Sequence, residues 1–568
     1  MSTQHANPTP AGEFDVVVVG AGLAGLVAAY EAQAAGARVV VVDQESAANR
    51  GGQAHWSLGG LFLVDSPEQR RLGVRDSLEL ARHDWLASAG FDRAEDHWPR
   101  RWAEAYLEFA AGEKRDYLTG LGLRLVPVVG WAERGAGRAD GHGNSVPRFH
   151  LTWGTGPEVV RIFAEPLAEA EAAGRVRFAH RHRVDRLIVE DGVVRGVAGA
   201  VLEACDHLER GVASPDGELR DFELRGRATL VATGGVGGNL AKVREHWPEQ
   251  SLGPMPEDMV VGVPAHVDGR GIDIAEAAGA RTINRDRMWH YTEGMANWDP
   301  IWPGHGIRII PGPSAMWFDA TGERLPAPNI PGADTVGTMR AILGTGYGWS
   351  WFVLNGTIVA KEFLFSGSEQ NPDLTEKKLA KLVDKVRSGI PAPVRAFMDH
   401  GEDWVVAENL EKLVAGMNEL VGEAGPELRA ERLREQIEAR DLQVANPFSK
   451  DHQVNYLRVA RRFIGDRLIR AAAPHRILDR AHGPLIAVRL RPLTRKTLGG
   501  IETDLDARAL GADGAPVPGL WAAGEATGFG GGGMHGGNAL EGTFLGGCIF
   551  SGMRAGRSMA AAVRGTRP

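Results

Sequence analysis

Cysteine is almost absent. Cys205 and Cys548 are the only two in 568 residues. So few thiols exclude a disulfide framework and any cysteine-ligated iron–sulfur cluster, and they fit a reducing, cytoplasmic setting. Long apolar runs are missing too: no stretch approaches the roughly 20 residues of a membrane span. Residues 1–13 are polar and contain proline, with neither a basic start nor an apolar core, so no signal peptide is expected. Positive charge is not in excess. The formal net charge is −8, which argues against non-specific nucleic-acid binding. Tyrosine is scarce, with six residues. No internal repeat and no second nucleotide-binding unit is visible, and no metal site is expected. Hydrophobic content of 43% and charge of 24% are ordinary for a folded protein, and the length calls for more than one domain.

The most informative stretch runs from Phe14 to Asp43. Asp15-Val16-Val17-Val18-Val19 reads as a buried parallel strand. Gly20-Ala21-Gly22-Leu23-Ala24-Gly25 follows at once, then an Ala-rich helical segment to Ala35. A second strand, Val39 to Val42, ends in Asp43. This is the dinucleotide-binding βαβ pattern. Gly20 permits the tight turn, Gly22 lets backbone approach a pyrophosphate, and Gly25 lets helix and sheet pack. The helix start offers free N–H groups to phosphate. Asp43 stands where a carboxylate can accept from ribose hydroxyls, with Gln44 beside it.

Two glycine pairs, Gly51-Gly52 and Gly59-Gly60, bracket Gln53 to Leu58. Such a loop can lie against a planar ring without side-chain clash, or be simply a surface loop. Residues 67–122 carry Glu, Arg, Leu and Trp at helical spacing, and their aromatics read as core. Residues 132–150 read as a loop and 158–173 as helix. Val184–Glu190 and Val193–Val201 form a hairpin around Asp191-Gly192. Residues 203–221 read as an insertion. Ala228 to Gly235 is a buried strand entering a glycine turn, and Gly269-Arg270 opens a further helix. Residues 289–350 are rich in Trp, Pro and Gly. Residues 373–388 and 404–443 return to amphipathic helix, with Leu379, Leu382, Val383 and Val386 on one face. Strands recur at Leu485–Leu490, after the turn at Lys496–Gly500, and at Val517–Ala523. A glycine-dense turn, Gly528 to Gly537, precedes a last helix over 543–564.

Taken in order, GAGLAG at the start, Ala232-Thr233-Gly234-Gly235 in the middle and Gly524-Glu525 near the end resemble the fumarate reductase and succinate dehydrogenase flavoprotein superfamily. Within it the chain looks most like the ketosteroid-dehydrogenase-like branch. The resemblance covers nearly the whole chain. It implies an α/β fold: a discontinuous Rossmann-like FAD-binding domain, residues 1–288 and 475–568, with an inserted α+β capping domain, 289–474. It implies FAD. Gly20, Ala21, Gly22, Ala24 and Gly25 would hold the pyrophosphate, Asp43 and Gln44 the adenosine ribose, and Val184 would lie by the adenine. Ala232, Thr233 and Gly234 would pass beneath the cofactor. Gly51, Gly52, Gln53, Ser57, Gly59 and Gly60 would line the ring system. Gly524 and Glu525 would reach the ribityl or ribose hydroxyls. Asn538 and the helix opening at Thr543, Phe544 and Leu545 would complete the flavin site.

The departures from the family pattern point to chemistry. Gln53 stands where covalently flavinylated relatives have a histidine, so FAD is expected to be non-covalent. His290-Tyr291-Thr292 stands for His-Pro-Thr, and Gly322-Glu323-Arg324 for the Gly-x-Arg of the proton-donating arginine. Lys496 replaces a histidine, and Ala539, after His535-Gly536-Gly537-Asn538, replaces a substrate-clamping arginine. A dicarboxylate needs two fixed cationic forks, and one is gone. The implied activity is FAD-dependent oxidation or reduction of a CH–CH bond beside an activating carbonyl, on an apolar small-molecule substrate. His290, Tyr291, Arg324, Lys496 and His535 are the catalytic candidates, with Tyr347 a further tyrosine. Each has a plainer alternative: a satisfied interior histidine, a brace for the cap, a solvated lysine. Trp289, Trp298, Trp302 and Trp317 are either cap core or the wall of an apolar pocket. The alternatives for the whole chain are a 3-ketosteroid dehydrogenase proper and an electron-transfer flavoprotein subunit that docks to a partner complex.

Overall fold

The computed structural model describes Thr9 and residues 12–310, 312–378 and 389–565. Strand β1 (Phe14–Val19), helix α1 (Leu23–Ala34) and strand β2 (Val39–Asp43) form the expected unit, with β1 and β2 parallel and Val16 opposite Val39. The turn between β1 and α1 tolerates no side chain at two points. A Cβ on Gly20, where φ is +104°, would stand 2.5 Å from the Ala232 carbonyl oxygen; one on Gly25 would stand 1.9 Å from that of Gly20. The helical excursion comprises Pro67–Arg71, Leu78–Ala89, α2 (His97–Ala111) and Lys114–Gly120. Its Trp85, Trp102 and Tyr106 are buried as core, and the Trp102 indole N–H donates to the Thr503 and Asp504 carbonyls.

Helix α3 (Thr155–Ala172) leads to β3 (Val176–His180), β4 (His182–Glu190), β5 (Val193–Leu202) and β6 (Glu218–Val231). The β4–β5 hairpin turns on Asp191 and Gly192, both at positive φ, which is what Asp-Gly predicts. Strand β6 opens at Glu218, so the end of the segment read as an insertion is already sheet.

A second sheet is built from β7 (Met288–Ala296), β8 (Gly306–Ile310), β9 (Met316–Asp319) and β10 (Ser350–Asn355). Helices α4 (His452–Ala460) and α5 (Ile464–Ile469) precede its longest strand, β11 (Leu485–Thr497). The order is β9-β10-β11-β7-β8, and 260–261 and 404–407 also pair with β11. The second layer therefore takes its central strand from beyond residue 474. Helices Leu410–Val421 and Ala430–Asp441 cover it with Leu413, Met417, Leu433 and Ile437. The helical face expected at Leu379, Leu382, Val383 and Val386 lies outside the described residues.

The chain then returns to the first layer. Strands β12 (Arg508–Leu510) and β13 (Pro516–Ala522) give the order β12-β13-β6-β1-β2-β3, parallel except for β12. The last helix, α6 (Thr543–Gly565), lies against α1 through small residues: a Cβ on Gly552 or Gly556 would meet the Ala24 or Ala28 carbonyl oxygen at 2.5 Å. The result is the α/β class expected, a largely parallel sheet with an inserted second layer.

Candidate active site

A single cavity is lined at one end by Gly20, Asp43 and Thr233, and at the other by Tyr291, Arg308 and Glu541. The first end lies at the carboxyl edge of β1 and β2, where the chain crosses from β2 on one side to β6 on the other, a usual place for a nucleotide. Asp43 closes it. Its carboxylate accepts the Ala21 N–H at 2.6 Å and the Glu45 N–H at 2.8 Å. Burial raises its pKa, and those two backbone bonds oppose the shift. Each oxygen retains a lone pair for a hydroxyl. Helix α1 starts at Gly22 with no side-chain cap. In front of Gly22 the space is open: a Cβ there would find only the Ala232 carbonyl oxygen, at 4.0 Å. The Thr233 hydroxyl, on the cavity wall, is buried with no hydrogen-bond partner among the described residues. An uncapped helix start, an open approach, an orphan hydroxyl and a terminal carboxylate together fit the FAD that the sequence implies.

Midway, Gly51 lies beside Gly22 and its N–H donates to the Ala21 carbonyl at 2.8 Å. Gln53 joins a buried network. Its amide donates to Glu525 at 2.8 Å and accepts from the Lys496 ammonium at 2.9 Å. Glu525 also accepts the Thr497 N–H at 3.0 Å and stands 3.7 Å from Lys496. Glu525, expected at ribityl or ribose hydroxyls, is thus held by Gln53 and Lys496. Burial lowers the Lys496 pKa, with Glu525 opposing. Ser57 braces its own loop, donating to Ala54 and accepting from Gly59. Gly52, Gly59, Gly60, Val184, Ala232, Gly234, Gly524, Phe544, Leu545, Ala24 and Gln44 also line the cavity.

Several expected residues stand behind the wall. Ala21 and Gly25 shape the turn, and Asn538 and Thr543 are absent from the lining. The Thr543 hydroxyl donates to the Leu540 carbonyl at 2.6 Å, so at His535 Nε2, 2.9 Å away, it must accept. His535 lies stacked on Trp85 and against Phe529 and Phe544, and burial lowers its pKa to about 3. Its place is to brace the turn before α6.

At the far end, strand alternation separates His290 from Tyr291. His290 turns away from the cavity and stacks on Trp247, 5° from parallel. Its Nδ1 accepts the Arg495 N–H at 3.1 Å, and burial lowers its pKa to about 4. Tyr291 faces the cavity. The Arg308 guanidinium lies 3.5 Å over its ring, and its hydroxyl donates to Glu541 at 3.4 Å. Arg308 donates in turn to Glu541 at 2.6 Å and to Glu293 at 3.2 Å. Burial pushes Glu293 up to about 6 against the pull of Arg308. Burial also works against charge on Arg308, but Glu541 and Glu293 outweigh it and raise its pKa. Burial and the Glu541 charge raise that of Tyr291. The sequence reading passed over Glu293 and Arg308. Alternation does not reveal Glu293, because the register of β7 shifts between Tyr291 and Gly294.

Arg324 is not brought to this cavity. It pairs with Asp451 at 2.6 Å and donates to Gln453 at 3.0 Å, on a separate cavity that Arg440 also lines. The turn after β9 faces the helices of the second layer, and the plainer reading, a brace for the cap, is what the geometry gives. Tyr347 is likewise off the wall, as are the four tryptophans of the cap. Trp289, Trp302 and Trp317 are buried core, and Trp298 is partly exposed. The apolar wall comes instead from Val126, Val128, Val129, Trp131, Phe149, Leu151, Ile310 and Leu364.

Among the described residues, no helix is long and apolar enough to cross a membrane. Residues 15–545 match the FAD binding domain family. A KsdD-like steroid dehydrogenase of Mycolicibacterium smegmatis is 60% identical over 549 residues, covering 97% of this chain and 99% of the relative. Among solved structures, a 3-ketosteroid delta1-dehydrogenase from Sterolibacterium denitrificans, with 1,4-androstadiene-3,17-dione, aligns with a TM-score of 0.68 at 16% identity, covering 97% of this chain and all of that one. A flavocytochrome c3 fumarate reductase in an open conformation aligns with a TM-score of 0.63 at 21% identity, covering 98% and 79%. At these identities the two structures speak for the fold alone.

Proposed function

The chain belongs to the FAD binding domain family and is an FAD-binding oxidoreductase acting on CH–CH groups; we propose that its substrate is an apolar, carbonyl-activated molecule of steroid type and that Tyr291 handles the proton. One observation carries this. Of the five catalytic candidates only Tyr291 and Lys496 line the cavity, and Lys496 is held by Gln53 and Glu525. FAD, when bound, supplies the acceptor for the hydride that leaves the substrate. The chain supplies the rest. As the carbon next to the carbonyl gives its proton to the Tyr291 oxygen, the phenol's own proton passes to Glu541, to which it already donates. Arg308, fixed on both groups, balances the charge that Glu541 carries before the transfer.

The substrate class rests on the walls and on the charges. Arg308 is committed to Glu541 and Glu293, Lys496 to Gln53 and Glu525, and Arg134 to Asp466. Ala539 is buried behind the wall. Two further cations of the wall, Arg470 and Arg495, donate to the Ile310 and Gly262 carbonyls, and an apolar ligand meets valine, leucine and aromatic surface. The 60% identity to a relative named as a steroid dehydrogenase supports the same class. The division into an FAD-binding domain, 1–288 and 475–568, and a cap, 289–474, belongs to this proposal, with β7 and β11 shared between the two.

Anaerobic bleaching of the bound flavin tests the substrate class. A 3-keto steroid is expected to bleach it within the dead time of manual mixing, and succinate to leave it yellow. Bleaching by succinate and not by steroids would reverse the assignment.

The mode of FAD attachment has its own test. The Gln53 amide is a poor nucleophile and is engaged at both ends by Glu525 and Lys496. We propose non-covalent binding, so acid precipitation is expected to leave all the yellow colour in the supernatant. Colour retained by the washed pellet would contradict it.

A further inference from the structure

Among the described residues ten large apolar side chains are exposed, and six of them fall between residues 442 and 469. They are Leu442, Phe448, Val459, Ile464, Leu468 and Ile469, and Phe448 is 84% exposed. The fold gathers them. Arg458 of α4 donates to the Asn446 and Pro447 carbonyls, which straps the loop carrying Leu442 and Phe448 against α4. Val459 lies on α4 itself, and helix α5, after a three-residue turn, carries Ile464, Leu468 and Ile469.

The patch is basic as well as apolar. Residues 458–470 contain five arginines and one acid, Asp466; Arg458, Arg461 and Arg470 turn onto backbone carbonyls. Asp466 turns inward onto Arg134. Arg462 and Arg467 are exposed and make no ion pair among the described residues. The patch also adjoins the cavity: Gly465, Asp466 and Ile469 of α5 line it, and Ile469 is half exposed.

We propose that this face docks on an anionic lipid surface, with the apolar side chains entering the boundary of headgroups and acyl chains and Arg462 and Arg467 meeting phosphate. A second copy of the chain is the poorer partner. A two-fold contact would set the same patch against itself and bring arginine onto arginine. An anionic bilayer satisfies both halves of the patch at once. The mouth of the cavity then opens toward the bilayer. The docking stands on the patch and does not depend on the reaction proposed above.

The test is co-sedimentation of the FAD-loaded full chain with vesicles. With a two-to-one mixture of phosphatidylcholine and phosphatidylglycerol the protein is expected in the pellet, and with phosphatidylcholine alone in the supernatant. The double variant Arg462→Glu/Arg467→Glu is expected to bind at least about tenfold more weakly, since each basic residue near an anionic surface contributes about 1 kcal/mol. Phe448→Ser, at a residue outside the cavity lining, is expected to weaken binding with FAD content unchanged. The proposal is overturned if the wild type stays in the supernatant with anionic vesicles, or if both variants pellet as it does. It is overturned equally if the wild type sediments as a dimer that Phe448→Ser converts to a monomer, since the face would then join two subunits.

Discussion

Tyr291→Phe is expected to bind FAD normally and to turn over about 10²–10⁴-fold more slowly than the wild type, the usual contribution of a positioned acid–base group. The variant removes one oxygen. The ring stays under the Arg308 guanidinium, and Arg308 keeps both carboxylates, so no buried charge is left without a partner. A loss confined to the catalytic rate, with flavin content and melting temperature unchanged, is the signature of a proton-transfer role. His290→Ala is the matched control. Its ring packs on Trp247 behind the strand, so the variant is expected to lose stability and to keep turnover within a few-fold. Full activity in Tyr291→Phe, or loss of chemistry in a folded His290→Ala, would move the proton-handling role off Tyr291.

The second large effect is expected at Gly22. Gly22→Val should fold and carry almost no FAD. The backbone and the space at the Cβ admit a side chain: φ at Gly22 is −69°, and the nearest atom to an added Cβ is 4.0 Å away. The room that valine would fill is the room a pyrophosphate needs to reach the start of α1. Gly25→Val is the contrast, because its Cβ would lie 1.9 Å from the Gly20 carbonyl oxygen and the turn itself would fail. Flavin absorbance per folded molecule, with folding checked by circular dichroism, separates the two. A Gly22→Val protein with full flavin occupancy would refute the placement of the cofactor on this turn.

The nucleotide end of the cavity was legible in the sequence because its requirements are local. A glycine at positive φ, a helix start without a cap and an acid at a strand end are each set by a few neighbouring residues. The hairpin at Asp191-Gly192 was legible for the same reason. The catalytic end was not. Whether His290 or Tyr291 faces the cavity depends on which side of β7 the second layer covers, and no local pattern states that. Arg308 and Glu541 meet from positions 233 residues apart, through the pairing of β7 with β8 and the return of the chain to α6. Arg324 lay in a motif whose spacing is local, but its partners Asp451 and Gln453 come from a distant helix and turn it to another cavity. The cap tryptophans were open to two readings because composition carries no direction.

Strand β11 has a mechanical consequence. It is 13 residues long, about 40 Å at the usual rise per residue, and between Leu493 and Lys496 an extra residue bulges it against β7. Its first half is laced to β10 by six residue pairs, and its last residues put Lys496 against Gln53 and Thr497 against Glu525. Both ends of the strand are tied, and the bulge lies between the ties. Any opening of the second layer as a rigid body would therefore have to bend at that bulge or drag the Lys496 ammonium off Gln53.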